Sequence, residues 1–202
     1  MSEAIPVRQS SLSRETGETS ITLSLNLDGS GIVHADTGVA FLDHMLHAWG
    51  KHARLDLEVT ATGDAAMDPH HTVEDVGIVV GLAIREALGD RAGIERYGFA
   101  YAPLDESLAR VVIDCSGRPY LDFHATMPEP VIGRDFASSL VEEFWRAVAV
   151  NGGLTMHIDL LRSRNAHHAA EAIFKAAAVA TRTAFARNAP STFLPSTKGV
   201  LA

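Results

Sequence analysis

Apolar and polar residues alternate through TSITLSLNLDGSGIVHADTG (19–38), and the alternation breaks at DGSG, a run of tight-turn residues. A period of two marks half-buried strands, so this stretch predicts two strands joined by a turn. The period changes in FLDHMLHAWGKH (41–52), where Phe41, Leu42, Met45, Leu46 and Trp49 recur at helical spacing and Gly50 predicts the stop. RLDLEVTAT (54–62) alternates again as a strand, and DPHHTVEDVGIVVGLAIREALGD (68–90) reads as a longer helix running to Gly89. The order then returns. SLARVVIDCSGRPYLDFHAT (107–126) is a hairpin around SGRP, SLVEEFWRAVAVNGG (139–153) a helix stopped by glycines, LTMHIDLLR (154–162) a strand, and AHHAAEAIFKAAAVATRTAFAR (166–187) a long helix.

Both halves therefore read strand, strand, helix, strand, helix. The predicted fold is α+β and internally duplicated, with sheets packed against helices in a single domain. Residues 1–17 are polar and unpatterned and are predicted to be a loose arm; 18–100 form the first half, 101–190 the second, and 191–202 an irregular tail that contributes to the site.

Composition narrows the function. With 202 residues and 47% hydrophobic content the chain supports one sizeable core. The longest apolar runs, such as IVVGLAI (78–84), are too short to span a bilayer, and the polar N-terminus lacks the apolar core of a signal peptide. Cys115 has no partner for an internal disulfide, which fits a reducing cytosol; the expected location is cytoplasmic. A formal charge of −8 opposes a nucleic-acid partner but leaves room for a small anion in a local basic pocket.

The ten histidines carry the candidate chemistry, because HHTVEDVG (70–77) and HHAAEAIF (167–174) share the skeleton HHxxE. On a helix, residues four apart lie on one face and adjacent residues diverge by roughly 100°. His70 and Glu74 therefore grip one ion together while His71 points elsewhere, and His167 pairs with Glu171 while His168 diverges. If the repeats face each other about a pseudo-twofold axis, within a chain or across an interface, each metal receives a His/Glu pair from one repeat and the odd histidine from the other. Aligning the repeats sets His44 opposite Glu143 as further ligands. Nitrogen and oxygen donors without thiolate suit a borderline divalent ion in octahedral geometry, and the donors do not choose among Mn, Fe, Co and Zn. His34, His47, His124 and His157 read as surface residues.

FLDHMLHAWGKH, DPHHTVEDVG, RNAHHAAEAIFKA and PSTKGVL together resemble, in order, the signature blocks of the imidazoleglycerol-phosphate dehydratase family, and the resemblance runs from Glu18 to Leu201. It implies a duplicated fold holding two manganese ions per active site, in a large homo-oligomer built from trimers with octahedral symmetry. By position it places one metal on His44, His71, His167 and Glu171, and the other on His70, Glu74, His168 and the residue at 143. The family carries histidine at that last position and this chain carries Glu143, a substitution manganese accepts. The implied reaction removes water from imidazoleglycerol phosphate to give imidazoleacetol phosphate, through a metal-stabilised imidazolate and a diazafulvene-like intermediate. Glu18 is the implied acid/base, with Glu171 a second candidate. Arg96, Arg118, Lys175, Ser196, Thr197 and Lys198 are the implied phosphate contacts, with His44 and His52 also lining the substrate pocket.

Two other functions fit parts of the pattern. A dinuclear hydrolase would release inorganic phosphate. A metal-storage bundle would use carboxylates on four long helices, against which the alternating strands speak.

Overall fold

The computed structural model describes residues 7–63, 65, 67–188, 194, 196 and 197. The first half contains β1 (Gln9–Glu15), β2 (Thr19–Asn26), β3 (Val33–Asp36), α1 (Ala40–Ala53), β4 (Asp56–Gly63) and α2 (His70–Leu88). The second contains β5 (Tyr97–Leu104), β6 (Ser107–Asp114), β7 (Tyr120–His124), a two-stranded insertion β8 (Val131–Ile132) and β9 (Phe136–Ala137), then α3 (Leu140–Gly152), β10 (Thr155–Arg162) and α4 (Ala166–Ala184). The sheets have orders β1-β2-β4-β3 and β5-β6-β10-β7, which are the same order once the halves are superposed in sequence. The fold is α+β, which excludes an all-helical storage bundle. No helix among the described residues is long and apolar enough to cross a membrane.

Alternation sets which face each strand buries. Ile21, Leu23 and Leu25 of β2 point inward, while Ser20 and Thr22 face solvent. The helices fill the space between the two inner sheet faces, with α2 packed on α3 and α1 on α4, so each half contributes helices to the other's core. Trp49, Phe144, Trp145 and Phe174, from α1, α3 and α4, meet there with ring centroids 4.9 to 6.2 Å apart. Close approach of α2 and α3 depends on Gly77 and Gly81: an added Cβ would lie 2.8 Å from the Phe144 carbonyl oxygen or 2.7 Å from that of Val148. Alanine is the better helix former by about 1 kcal/mol. Overpacking should outweigh that gain, so Gly81→Ala is expected to cost about 1–3 kcal/mol, read as a lower urea midpoint at unchanged slope.

Several expectations require correction. Residues 9–15, expected as part of a loose arm, form β1 and pair antiparallel with β2 from Gln9↔Asn26 to Glu15↔Ser20. Tyr97–Leu104, missed entirely, forms the equivalent β5, so each half's main sheet has one more strand than predicted, the second half also gains the β8–β9 insertion, and that half begins before residue 101. DGSG and SGRP are not hairpin turns. β3 runs parallel to β4, and β7 parallel to β10, with α1 and α3 as the crossovers that parallel pairing requires. The DGSG loop is held open by Asp56, whose Oδ1 accepts backbone N–H bonds from Ser30, Gly31 and Ile32 at 2.8 to 3.1 Å. Gly50 does not end α1, which continues to Ala53 and closes on Arg54 in the left-handed region. It is buried where a Cβ would come 2.6 Å from Val33 Cγ2, so its smallness serves packing against β3.

Asp28 ties the chain ends to the sheet, pairing with Arg8 and, at 2.9 Å, with Arg187 beyond α4. The Arg8 hydrogen bond is the largest influence on its carboxyl; with Arg187 it overcomes burial and lowers the pKa from 3.8 to about 2. A lowered folded-state pKa gives stability that is present above the unfolded value and drains away as pH falls through the folded one. The melting temperature of Asp28→Asn should therefore sit below wild type at about pH 5, with the gap closing as pH approaches about 2.

Candidate active site

Two elements from different halves build the central cluster. His44 lies in the second turn of α1, and His167 and Glu171 lie four apart on α4, so the α1·α4 contact brings the three together. Glu171 Oε2 is 3.2 Å from both His44 Nε2 and His167 Nε2, and Lys175 Nζ, one turn further on, is 2.6 Å from Oε1. Phe41 stands edge-on to both imidazoles. Burial raises the Glu171 carboxyl, but hydrogen bonds from Lys175 and His44 with their charges outweigh it and hold the group at about 2. Among the described residues, these are the histidine and carboxylate groups whose ligand atoms gather within 4.8 Å of one another in a set of three.

The matching elements of the other pairing, α2 and α3, carry His70, Glu74 and Glu143. His70 Nε2 lies 3.6 Å from Glu74 Oε2, while Glu143 points a carboxylate oxygen at Arg146 Nε, 3.6 Å away. The adjacent histidines diverge as helix geometry requires. His71 Nδ1 faces Glu18 at 3.7 Å, and His168 Nδ1 meets Glu106 Oε2 at 2.9 Å. That hydrogen bond is the chief reason the Glu106 carboxyl is lowered to about 2 and the His168 imidazole is raised. His70, His71, Glu74, Glu143 and His168 thus stand outside the central cluster, and neither four-ligand set is assembled within one chain. Glu106 was missed in the sequence although a signal existed: it immediately precedes β6 as Glu18 immediately precedes β2.

The remaining residues are spread along the molecule. Arg96 is bidentate on Asp114 at 2.7 and 3.1 Å and lies over the Tyr97 ring. Its backbone N–H donates to Ala184 at the last turn of α4, so the 19-residue helix separates it from His167 by roughly 25 Å. Arg118 is exposed in the loop after β6, which starts near the same end because the Cys115 N–H donates to the Arg96 carbonyl. His52 is exposed in the last turn of α1, and its carbonyl accepts from Arg182. Ser196 is half-buried and Thr197 exposed, while Lys198 lies outside the described residues. Cys115 is buried, and burial pushes its thiol up to about 12, so it offers no thiolate.

Fold and site define an α+β enzyme whose centre is made of imidazole and carboxylate groups in the first turns of paired helices. The sequence profile of imidazoleglycerol-phosphate dehydratase matches residues 37–181. An imidazoleglycerol-phosphate dehydratase of Acidiphilium cryptum is 53% identical over 195 residues, 96% of this chain and 99% of that one. One from Magnetococcus marinus is 53% identical over 190 residues, covering 94% and 96%. The crystal structure of the Staphylococcus aureus dehydratase superposes with a TM-score of 0.81 at 43% identity, over 89% of this chain and 99% of that one. The chain belongs to the imidazoleglycerol-phosphate dehydratase family.

Proposed function

We propose that this chain dehydrates imidazoleglycerol phosphate to imidazoleacetol phosphate in histidine biosynthesis, in the cytoplasm, using two manganese ions per active site. The observation that carries the reading is Glu171 Oε2 poised equally between His44 and His167, an anionic oxygen and two imidazole nitrogens converging on one point. These donors fit manganese: nitrogen and oxygen only, with no thiolate, on two imidazoles exposed enough to leave coordination positions for substrate beside a mostly buried carboxylate. His44, His167 and Glu171 with His71 would hold one ion, and His70, Glu74 and His168 with Glu143 the other. Manganese, when bound, supplies the Lewis acidity that lets the substrate's imidazole ring give up a proton and push out the side-chain hydroxyl.

The protein's own groups do the rest. Glu18 is exposed and 3.7 Å from His71, free to exchange protons. It takes the proton the ring gives up and passes it to the departing hydroxyl, which leaves as water, then takes the proton of the neighbouring carbon and returns it to the ring as the resulting enol becomes the ketone. Glu171 is the second candidate acid/base beside its role as ligand. Arg118, Lys175, Ser196, Thr197 and Lys198, with Arg96, supply cations and hydroxyls for the phosphate.

Arg96 is too far along α4 to reach a substrate ring held at His167 of its own chain. The separated half-cages point the same way, supporting sites built between copies in a large homo-oligomer of trimers with octahedral symmetry. The test is to incubate manganese-replete protein with imidazoleglycerol phosphate. Appearance of the ketone with phosphate retained is expected; release of inorganic phosphate would instead favour the dinuclear hydrolase, and no turnover would reject both.

A further inference from the structure

The duplicated carboxylate–histidine pairs have diverged, and the difference assigns them different work. Glu106 and Glu18 occupy equivalent places just before β6 and β2, and each faces the second histidine of an HHxxE motif. Glu106 is anchored. Its Oε1 accepts the Arg164 backbone N–H at 3.2 Å and the Ser107 hydroxyl at 3.2 Å, leaving Oε2 aimed at His168 Nδ1, 2.9 Å away. The histidine is anchored too, because Asn165 Oδ1 caps α4 by accepting the His168 backbone N–H. Glu18 lies beyond hydrogen-bond reach of His71 and is more than half exposed.

We infer that Glu106 is a positioning residue that fixes His168 with its proton on Nδ1 and its lone pair on Nε2, so that Nε2 is presented as a metal ligand. An anionic carboxylate only accepts, so the imidazole nitrogen facing it must carry the hydrogen. In the neutral ring the other nitrogen is then the donor to an ion, and the orientation is set before the ion arrives. The Glu18 carboxylate, 3.7 Å from His71 and more than half exposed, is suited instead to moving protons. This inference rests on the metal site proposed above.

The test turns on two substitutions whose order separates orientation from packing. In Glu106→Gln the amide oxygen can still accept from Arg164 and Ser107, which aims the NH2 group at His168 Nδ1 and drives the ring proton onto Nε2, blocking the ligand atom. Glu106→Ala merely frees the ring. Free manganese, followed by its electron paramagnetic resonance signal during titration, should show one of the two sites weakened about 10–100-fold in Glu106→Gln and less in Glu106→Ala. A packing role would make alanine the worse of the two, and that order, or wild-type affinity in Glu106→Gln, overturns the inference while the metal reading stands. Wild-type protein that binds no manganese overturns both. A measurement on the unaltered chain is independent of variant folding: histidine 15N shifts of the metal-free protein should report His168 protonated at Nδ1, and protonation at Nε2 instead would also sink it.

Discussion

His167→Ala is expected to empty one manganese site and lower kcat/KM by more than about 100-fold, beyond what loss of an outer partner of a ligand costs. Glu171 Oε2 has His44 and His167 as near-equal neighbours, so removing either imidazole leaves a carboxylate that Lys175 can draw away, and the point of convergence is lost. His44→Ala and the double variant should lose no more than either single one, because three groups that act as one cage fail together. His71→Ala is the sharper probe. In its own chain His71 faces Glu18, outside the cluster, yet it is assigned to the same ion. It should deplete metal as His167→Ala does, measured by elemental analysis with far-UV circular dichroism unchanged. Full metal retention in both variants would reject the ligand assignment.

What the sequence disclosed follows from how local each signal is. α2 and α4 were legible because a long apolar stripe follows each HHxxE, and β2, β4, β6 and β10 because their buried faces alternate with polar ones. β1 was illegible because QSSLSRE has a single leucine. β5 was misread for the opposite reason. Its inward residues are Gly98, Ala100 and Ala102, small enough for α4 to press on the strand, while Tyr97, Phe99 and Tyr101 face outward. An added Cβ at Gly98 would lie 2.0 Å from the Ala180 carbonyl oxygen. The turn residues of DGSG and SGRP mark a change of direction but cannot say which strand lies alongside, and parallel pairing through α1 and α3 is a tertiary fact.

The site divides in the same way. Divergence of adjacent histidines and convergence of residues four apart are properties of any helix, so His70 with Glu74 and His167 with Glu171 could be read directly. That His44 joins the α4 pair, while Glu143 turns to Arg146 and Glu106 locks His168, depends on which helix packs on which and on what precedes each strand. Glu106 could have been found by aligning the starts of β2 and β6, a comparison that helical motifs alone do not prompt.

The spacing along α4 yields the second large effect. Lys175 stands beside the His167 cluster of its own chain, but Arg118 lies toward the opposite end of that helix, so the Arg118 that meets the phosphate of a substrate held at one chain's His167 must come from another chain. Arg118→Ala and His167→Ala homo-oligomers should each be nearly inactive. Dissociated and reassembled together at equal ratio, they should recover activity at about a quarter of the sites, those where an intact arginine chain happens to meet an intact histidine chain in a symmetric assembly. If both groups served one site from the same chain, every mixed site would carry one defect and mixing would restore nothing. Arg118 is the better partner than Arg96 for this experiment, because it is exposed, whereas Arg96 is buried against Asp114 and its loss would damage the fold as well as the phosphate contact.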